Sequence, residues 1–310
     1  MSRLAHPIPY QGSKRRLAGP ILGILDGRRF ETLYEPFAGS AALTLAAASR
    51  GVADRYVIGD SLTPLAELWE RIMSRSTEAA DAYARIWRGQ FAGDGAAAHF
   101  NRIRREYNED GDPIKLLYLL ARCVKNAPRF GRTGAFNQSP DHRRTGMKPE
   151  KMRREIEGAR LILGGRGKAF AGSAEACIRS AGPNDLVYMD PPWQGTTEGT
   201  DTRYHQGFAR ARLEVLLAQL NTRGVPWILS YDGRSGNRTY GEPLHTELWG
   251  AHLELDAGRS SQSTLAGRAE HTVESLYVSA DICARLPGRM TGPAEQAALF
   301  TSEQTAQVLA

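Results

Sequence analysis

Apolar residues fall into two kinds of run along the chain. Thr32-Leu33-Tyr34-Glu35, Tyr56-Val57-Ile58-Gly59-Asp60, Leu186-Val187-Tyr188-Met189 and Val225-Pro226-Trp227-Ile228-Leu229 are short and lack polar alternation. Runs of this kind predict strands buried on both faces, as in a parallel sheet. Lys168 to Ser173 reads as a further strand and turn, and Thr272 to Val278 as a last strand. Between these runs the spacing becomes helical: Leu17, Ile21, Leu22 and Leu25; then Ala41 to Arg50, closed by Gly51; then Leu65, Leu68, Trp69 and Ile72. It is helical again through Ile114 to Leu120, Pro149 to Leu163, and Leu213, Leu216, Leu217 and Leu220, closing at Gly224. Strands alternating with helices predict an α/β fold whose ligands gather at the C-terminal edge of a mostly parallel sheet.

One stretch breaks this alternation. From about Thr77 to Leu120 the pattern is helical alone, and from Lys125 to Gln138 it loses periodicity among glycines, asparagines and aromatics set between arginines. The expected organisation is a discontinuous sheet-forming domain, residues 1–75 and 160–285, around an insertion at 76–159. A polar tail, 286–310, follows.

Charge singles out the same insertion. The 310 residues carry a formal charge of +6, yet residues 121–170 hold thirteen Lys and Arg against four acids, so the remainder is slightly acidic. A basic block confined to one segment points to a polyanionic partner. Its Lys125 to Gln138 stretch suits a hairpin that touches nucleic acid, with Asn126, Arg129, Arg132, Phe136 and Asn137 as candidate contacts, and Arg153 on the following helix as a candidate phosphate contact. The three cysteines and seven histidines are scattered, which predicts neither a disulfide framework nor a metal site and fits a reducing cytoplasm. No apolar run reaches the length of a membrane span, so no membrane partner is expected.

The candidate chemistry lies where strands end. Pro191-Pro192 stop the Leu186–Met189 strand abruptly and leave Asp190 at its C-terminal edge, followed by Trp193. Asp190 and the Pro191 carbonyl can accept hydrogen bonds from an exocyclic amine while Trp193 stacks on the base. Phe37-Ala38-Gly39-Ser40 forms a small-residue turn between strand and helix, where a ligand can pack on the backbone. Its spacing matches neither a phosphate-cradling loop nor a dinucleotide fingerprint. Asp60 ends the second strand, where a ribose diol is usually gripped, although the helix start at Thr63-Pro64 also makes it a cap. Gly12 permits a tight turn in Pro9-Tyr10-Gln11-Gly12-Ser13-Lys14, and Lys14 can reach a carboxylate or phosphate.

Taken in order, Pro-Tyr-Gln-Gly-Ser-Lys, Glu35-Pro36-Phe37-Ala38-Gly39-Ser40, Gly59-Asp60, a basic insertion with Gly134-Ala135-Phe136-Asn137, then Asp190-Pro191-Pro192-Trp193, Tyr204-His205 and Ser230-Tyr231-Asp232 resemble the DNA adenine methylase family over about residues 7–280. The resemblance implies a Rossmann-like S-adenosyl-L-methionine (SAM)-dependent methyltransferase sheet with an inserted helical and hairpin target-recognition domain. It also implies methyl transfer to N6 of an adenine flipped out of double-stranded DNA. Tyr10, Lys14, Phe37, Ala38, Gly39, Ser40, Asp60 and Asp190 would line the SAM site, and Asp190, Pro191, Pro192 and Trp193 would perform catalysis. A monomer or weak dimer is expected, with a cognate restriction enzyme as a candidate partner. The chain departs from the family at Trp193, where Tyr or Phe is commoner, and at Gly172-Ser173-Ala174, where Gly-Asp-Phe is common. Cytosine N4, RNA adenine and a catalytically silent DNA-binding protein are the rival readings.

Overall fold

The computed structural model describes residues 4–93, 95–131, 133–192, 209–235, 238–259 and 271–283. Its apolar runs assemble into one eight-stranded sheet. The strands are β1 (Phe30–Glu35), β2 (Ala53–Asp60), β3 (Gly167–Ala171), β4 (Leu186–Met189), β5 (Trp227–Ser235), β6 (Arg238–Tyr240), β7 (Ala251–Arg259) and β8 (His271–Val278). Their order is β3-β2-β1-β4-β5-β8-β7, with β6 paired to β5 off this path. The first five in that order are mutually parallel, and β8 and β7 add as antiparallel strands. The order reverses between β1 and β4, so the ends of those two strands flank the crevice where such sheets bind ligands.

Alternation along the central strands divides the core into two layers. Leu33, Leu186, Tyr188 and Ile228 face one side, and Tyr34, Val187, Met189, Trp227 and Leu229 face the other. The first side is covered by α1 (Ala18–Gly23), α2 (Ala42–Arg50) and α3 (Thr63–Ser74), the second by α8 (Ala174–Cys177) and α9 (Arg210–Thr222). Full burial of a large side chain contributes roughly 1.5–3 kcal/mol, which explains why strands buried on both faces carry so few polar residues.

The insertion is helical, as expected: α4 (Ser76–Gly89), α5 (Ala96–Asp110) and α6 (Pro113–Arg122), followed by a hairpin and then α7 (Pro149–Leu163). Pro113 and Pro149 sit in the first turns of α6 and α7, and Asp112 caps α6 by accepting from the amides of Ile114 and Lys115 at 2.7 and 3.0 Å. α7 packs on α2, α3 and α4, so it joins the insertion to the sheet-forming part instead of belonging to one side. The last helix among the described residues, α10 (Ala280–Cys283), is a single turn. Strand β7 has no counterpart in the sequence reading, although His252-Leu253-Glu254-Leu255-Asp256 alternates as an antiparallel strand should. Among the described residues no helix is long and apolar enough to cross a membrane.

Candidate active site

Glu35, Asp60 and Asp190 end three adjacent strands on the same edge of the sheet. The turn after β1 is shaped by two left-handed residues, Gly39 (φ 48°) and Ala41 (φ 46°). Gly39 is pinned from three sides. Its amide donates to Asp60 Oδ2 at 3.1 Å, its carbonyl accepts from Trp69 Nε1 at 3.0 Å, and the Tyr10 ring lies 3.6 Å from where a Cβ would stand. Asp60 also accepts from the Leu62 amide through Oδ1 at 2.9 Å, so it fastens the start of α3 and the Gly39 turn together. Asp60 thus stands two residues before the α3 N-cap, Leu62, and each of its carboxylate oxygens keeps a second lone pair. Burial, offset by these amides, lifts its pKa to about 6. Gly59, just before it, admits no side chain, because a Cβ would come within 2.5 Å of Cys177 Sγ.

The Pro9–Lys14 loop folds over this turn. Ser40 Oγ donates to Ser13 Oγ at 2.8 Å, which ties the two motifs directly. Lys14 then begins a 3-10 turn and buries its ammonium between two carboxylates, Asp190 at 3.2 Å and Glu274 at 2.9 Å. Asp190 keeps 21% of its side chain exposed despite the pair. Burial raises its pKa, Lys14 lowers it and Glu274 raises it again, leaving it at about 6. At the end of β1, Glu35 is buried and accepts from Thr44, from the amide at 2.9 Å and from the hydroxyl. Burial pushes its pKa to about 8, so this carboxyl is neutral at pH 7.

These residues fit a SAM-type cofactor. The side-chain-free Gly39 turn lies under the Tyr10 ring, Asp60 could offer its carboxylate to a ribose, and half-buried Phe37 could supply an apolar wall. At the third edge position, Ser173 caps α8 by accepting from the Ala176 amide at 3.3 Å, and Gly172 donates its amide to the Asp60 carbonyl at 3.1 Å. Trp193 and Tyr204-His205 lie outside the described residues, as does Arg132.

The basic segment forms the expected hairpin. Phe130 pairs with Phe136 across it, the amide of Gly131 donates to the Ala135 carbonyl at 2.8 Å, and that of Asn137 donates to the Arg129 carbonyl at 2.9 Å. The structure corrects two of the expected contacts. Phe136 is only 1% exposed, and its ring meets Phe130 and Tyr107 edge-to-face, so it is a core ring and cannot stack on a base. Asn108 of α5 clamps its backbone, donating to the Phe136 carbonyl and accepting from its amide. Asn126 spends its side-chain amide on the Leu120 carbonyl at 2.8 Å, at the end of α6, and its own carbonyl accepts from the Gln11 amide at 3.0 Å. It joins the hairpin base to the Pro9–Lys14 loop, with its side-chain amide committed to α6. Arg129 and Asn137 are exposed as expected, whereas Arg153 pairs with Asp81 and Glu157.

The comparison with known proteins decides the family. The family model for D12 class N6 adenine-specific DNA methyltransferases matches residues 10–254. The chain belongs to this family. As a D12-class enzyme it methylates adenine N6 in DNA, which favours that reaction over cytosine N4 and over RNA, and methyltransferases of this kind use SAM in general. It is similar to the retron Ec67 DNA adenine methylase of Escherichia coli, 27% identical over 261 residues that cover 81% of this chain and 84% of that protein. It is also similar to the DNA N-6-adenine-methyltransferase of Escherichia phage P1, 23% identical over 238 residues. That match covers 72% of this chain and 30% of the phage protein.

Proposed function

We propose that the D12 reaction runs at the edge formed by Gly39, Asp60 and Asp190, on an adenine turned out of double-stranded DNA. The observation that carries this reading is Asp190, a half-open carboxylate at the topological switch point, on the same edge as the Gly39–Asp60 cradle. When bound at that cradle, the cofactor supplies an electrophilic methyl group on a sulfonium. Extruding a base costs a few kcal/mol and delivers its amino group to the pocket. The amine is a weak nucleophile because its lone pair is delocalised into the ring. Asp190 and the Pro191 carbonyl accept its two N–H bonds and favour the pyramidal nitrogen on which positive charge develops. An Asp raised to about 6 is ionised at neutral pH yet accepts hydrogen bonds, and finally a proton, more strongly than an ordinary Asp. The remaining rate enhancement comes from holding the amine in line with the methyl group.

The exposed Arg129 and Asn137 on the hairpin are the candidate base readers, and Arg143, Lys148 and Arg154 are exposed cations placed to hold phosphates. The test is Asp190→Ala in a single-turnover assay with tritiated SAM and duplex DNA. Methyl transfer should fall by at least about 10²–10³-fold, while DNA affinity by fluorescence anisotropy stays within a factor of two or so. Methyl transfer undiminished in this variant would remove Asp190 from the chemistry. Methylome sequencing of cells expressing the wild-type protein gives the recognition site.

A further inference from the structure

We propose that Glu274 is a positioning residue for methyl transfer: by holding the Lys14 ammonium, it keeps Asp190 available to the adenine amine. This rests on the role given to Asp190 above. The geometry begins with a bulge in β5. Between Ser230 and Gly233 that strand carries one residue more than β8 opposite, and Asp232 within the bulge takes a left-handed conformation at φ 60°. Gly233 cannot be replaced without moving the strands, since a Cβ there would lie 2.2 Å from the Val273 carbonyl oxygen. Bulges beside active sites re-aim side chains. Here the residue opposite Gly233 is Glu274, and its carboxylate lies closer to Lys14, at 2.9 Å, than Asp190 does at 3.2 Å.

The consequence is a matter of charge. A buried ammonium with one carboxylate for a partner would form a closed pair, and an incoming amine would have to displace a charge-assisted bond. With Glu274 as second partner, the lysine is compensated without Asp190, and the three groups together carry a net −1. That surplus faces the nitrogen on which positive charge develops. Two other ionisable groups among the described residues near Asp190 add no charge at neutral pH. Glu35 on β1 is protonated there, with its pKa raised to about 8, and Tyr188 on β4 is held neutral by burial, its hydroxyl donating to Ser230 Oγ.

The experiment is the pH dependence of single-turnover methyl transfer for wild type, Glu274→Gln and Glu274→Asp, with Asp190→Ala alongside. The wild-type rate should fall on the acid side near the Asp190 pKa of about 6. In Glu274→Gln a carboxylate that raises Asp190 is gone and Lys14 is left to Asp190 alone. Both changes move the acid limb the same way, to lower pH by about one unit, and the plateau rate should drop on the order of tenfold. A Lys14→Met, Glu274→Gln double variant should lose less than the product of the single losses, because one residue acts through the other. Should the Gln variant fail to fold, Glu274→Asp keeps the charge but stretches the link, and its limb should move in the same direction by less. A slower enzyme whose acid limb stays in place overturns the proposal, because that is what a purely structural ion pair predicts. Asp190→Ala turning over as fast as wild type would instead remove the reading beneath it, and the role of Glu274 with it.

Discussion

At the C-terminal edge of the sheet, Lys14 and the carboxyls of Glu35, Asp60, Asp190 and Glu274 are buried or half-buried, and each is bound by a small set of named partners. Along residues 121–170, which hold thirteen cations, charge is handled in the opposite way: most of those among the described residues are exposed. At the edge, low dielectric makes every charge matter singly and moves pKa values by units. On the insertion, solvent and salt screen each cation, so binding is a collective property. The basic segment is itself mixed. Arg122 is buried against Gln90, Arg144 pairs with Asp141, and Arg166 donates to the Ile162 carbonyl over the Tyr56 ring. A count of cations in sequence therefore overstates the number available to phosphate.

Replacing Asp60 should give the sharpest effect on cofactor binding at the buried edge. Hydrogen bonds to a charged group contribute roughly 1.5–3 kcal/mol, so Asp60→Ala should weaken SAM binding about 10- to 100-fold by calorimetry. Unchanged affinity would mean that Asp60 serves only the Gly39 and Leu62 amides. Since those amides lose their acceptor as well, a circular-dichroism melt should accompany the titration.

Glu35 tests the same edge through stability. Its folded pKa of about 8 lies above the ordinary 4.5, so the folded state binds the proton more tightly than the unfolded one. Stability from this group is therefore greatest below about 4.5 and is lost as pH rises toward 8. Glu35→Gln keeps an oxygen for Thr44 and carries no charge. The variant should melt on the order of ten degrees above wild type at pH 8 and come close to it near pH 5, at about 1.4 kcal/mol per pH unit and roughly 2–4 °C per kcal/mol. Parallel melting curves across that range would show that Glu35 does not titrate in the fold.

Strands β1, β2, β4 and β5 were legible because parallel strands buried on both faces allow almost no polar residue, and α7 because Pro149 starts it and its apolar spacing runs to Leu163. The cradle of Gly39 and Asp60 was legible because the turn and the acid are each encoded locally. Glu35 stood in plain view before Pro36, but nothing in sequence says that a strand-ending acid is sealed beneath Thr44. Glu274 has no local signal at all, since its place beside Lys14 lies opposite a bulge in a strand some forty residues earlier. The hairpin misled for another reason. Phe136 and Asn126 share their composition with true surface contacts, and only the packing against Tyr107, Asn108 and Leu120 turns them inward.

The smallest effects belong to the insertion, where Arg129 and Arg153 can be set against each other. Arg129 is exposed on the hairpin, in the strand opposite Asn137, and projects from a segment fastened to α5 through Asn108. Such a platform can present an arginine to a base edge. Losing one good base contact costs about 1–3 kcal/mol and relaxes preference at a single position of the site. Arg153 sits on α7 between Asp81 and Glu157, paired with the first and 3.4 Å from the second. Its charge is already largely compensated, so a phosphate would gain little from it that the two acids do not already claim. A cation that neutralises a phosphate adds about 0.9 to the slope of log affinity against log salt. Arg129→Ala should therefore change target preference in a competition assay with single-base variants of the site, whereas Arg153→Ala should leave preference intact and reduce the salt slope by well under one. A full unit lost in Arg153→Ala would show that DNA pulls this arginine away from its acids. Unaltered preference in Arg129→Ala would move base reading off this face of the hairpin.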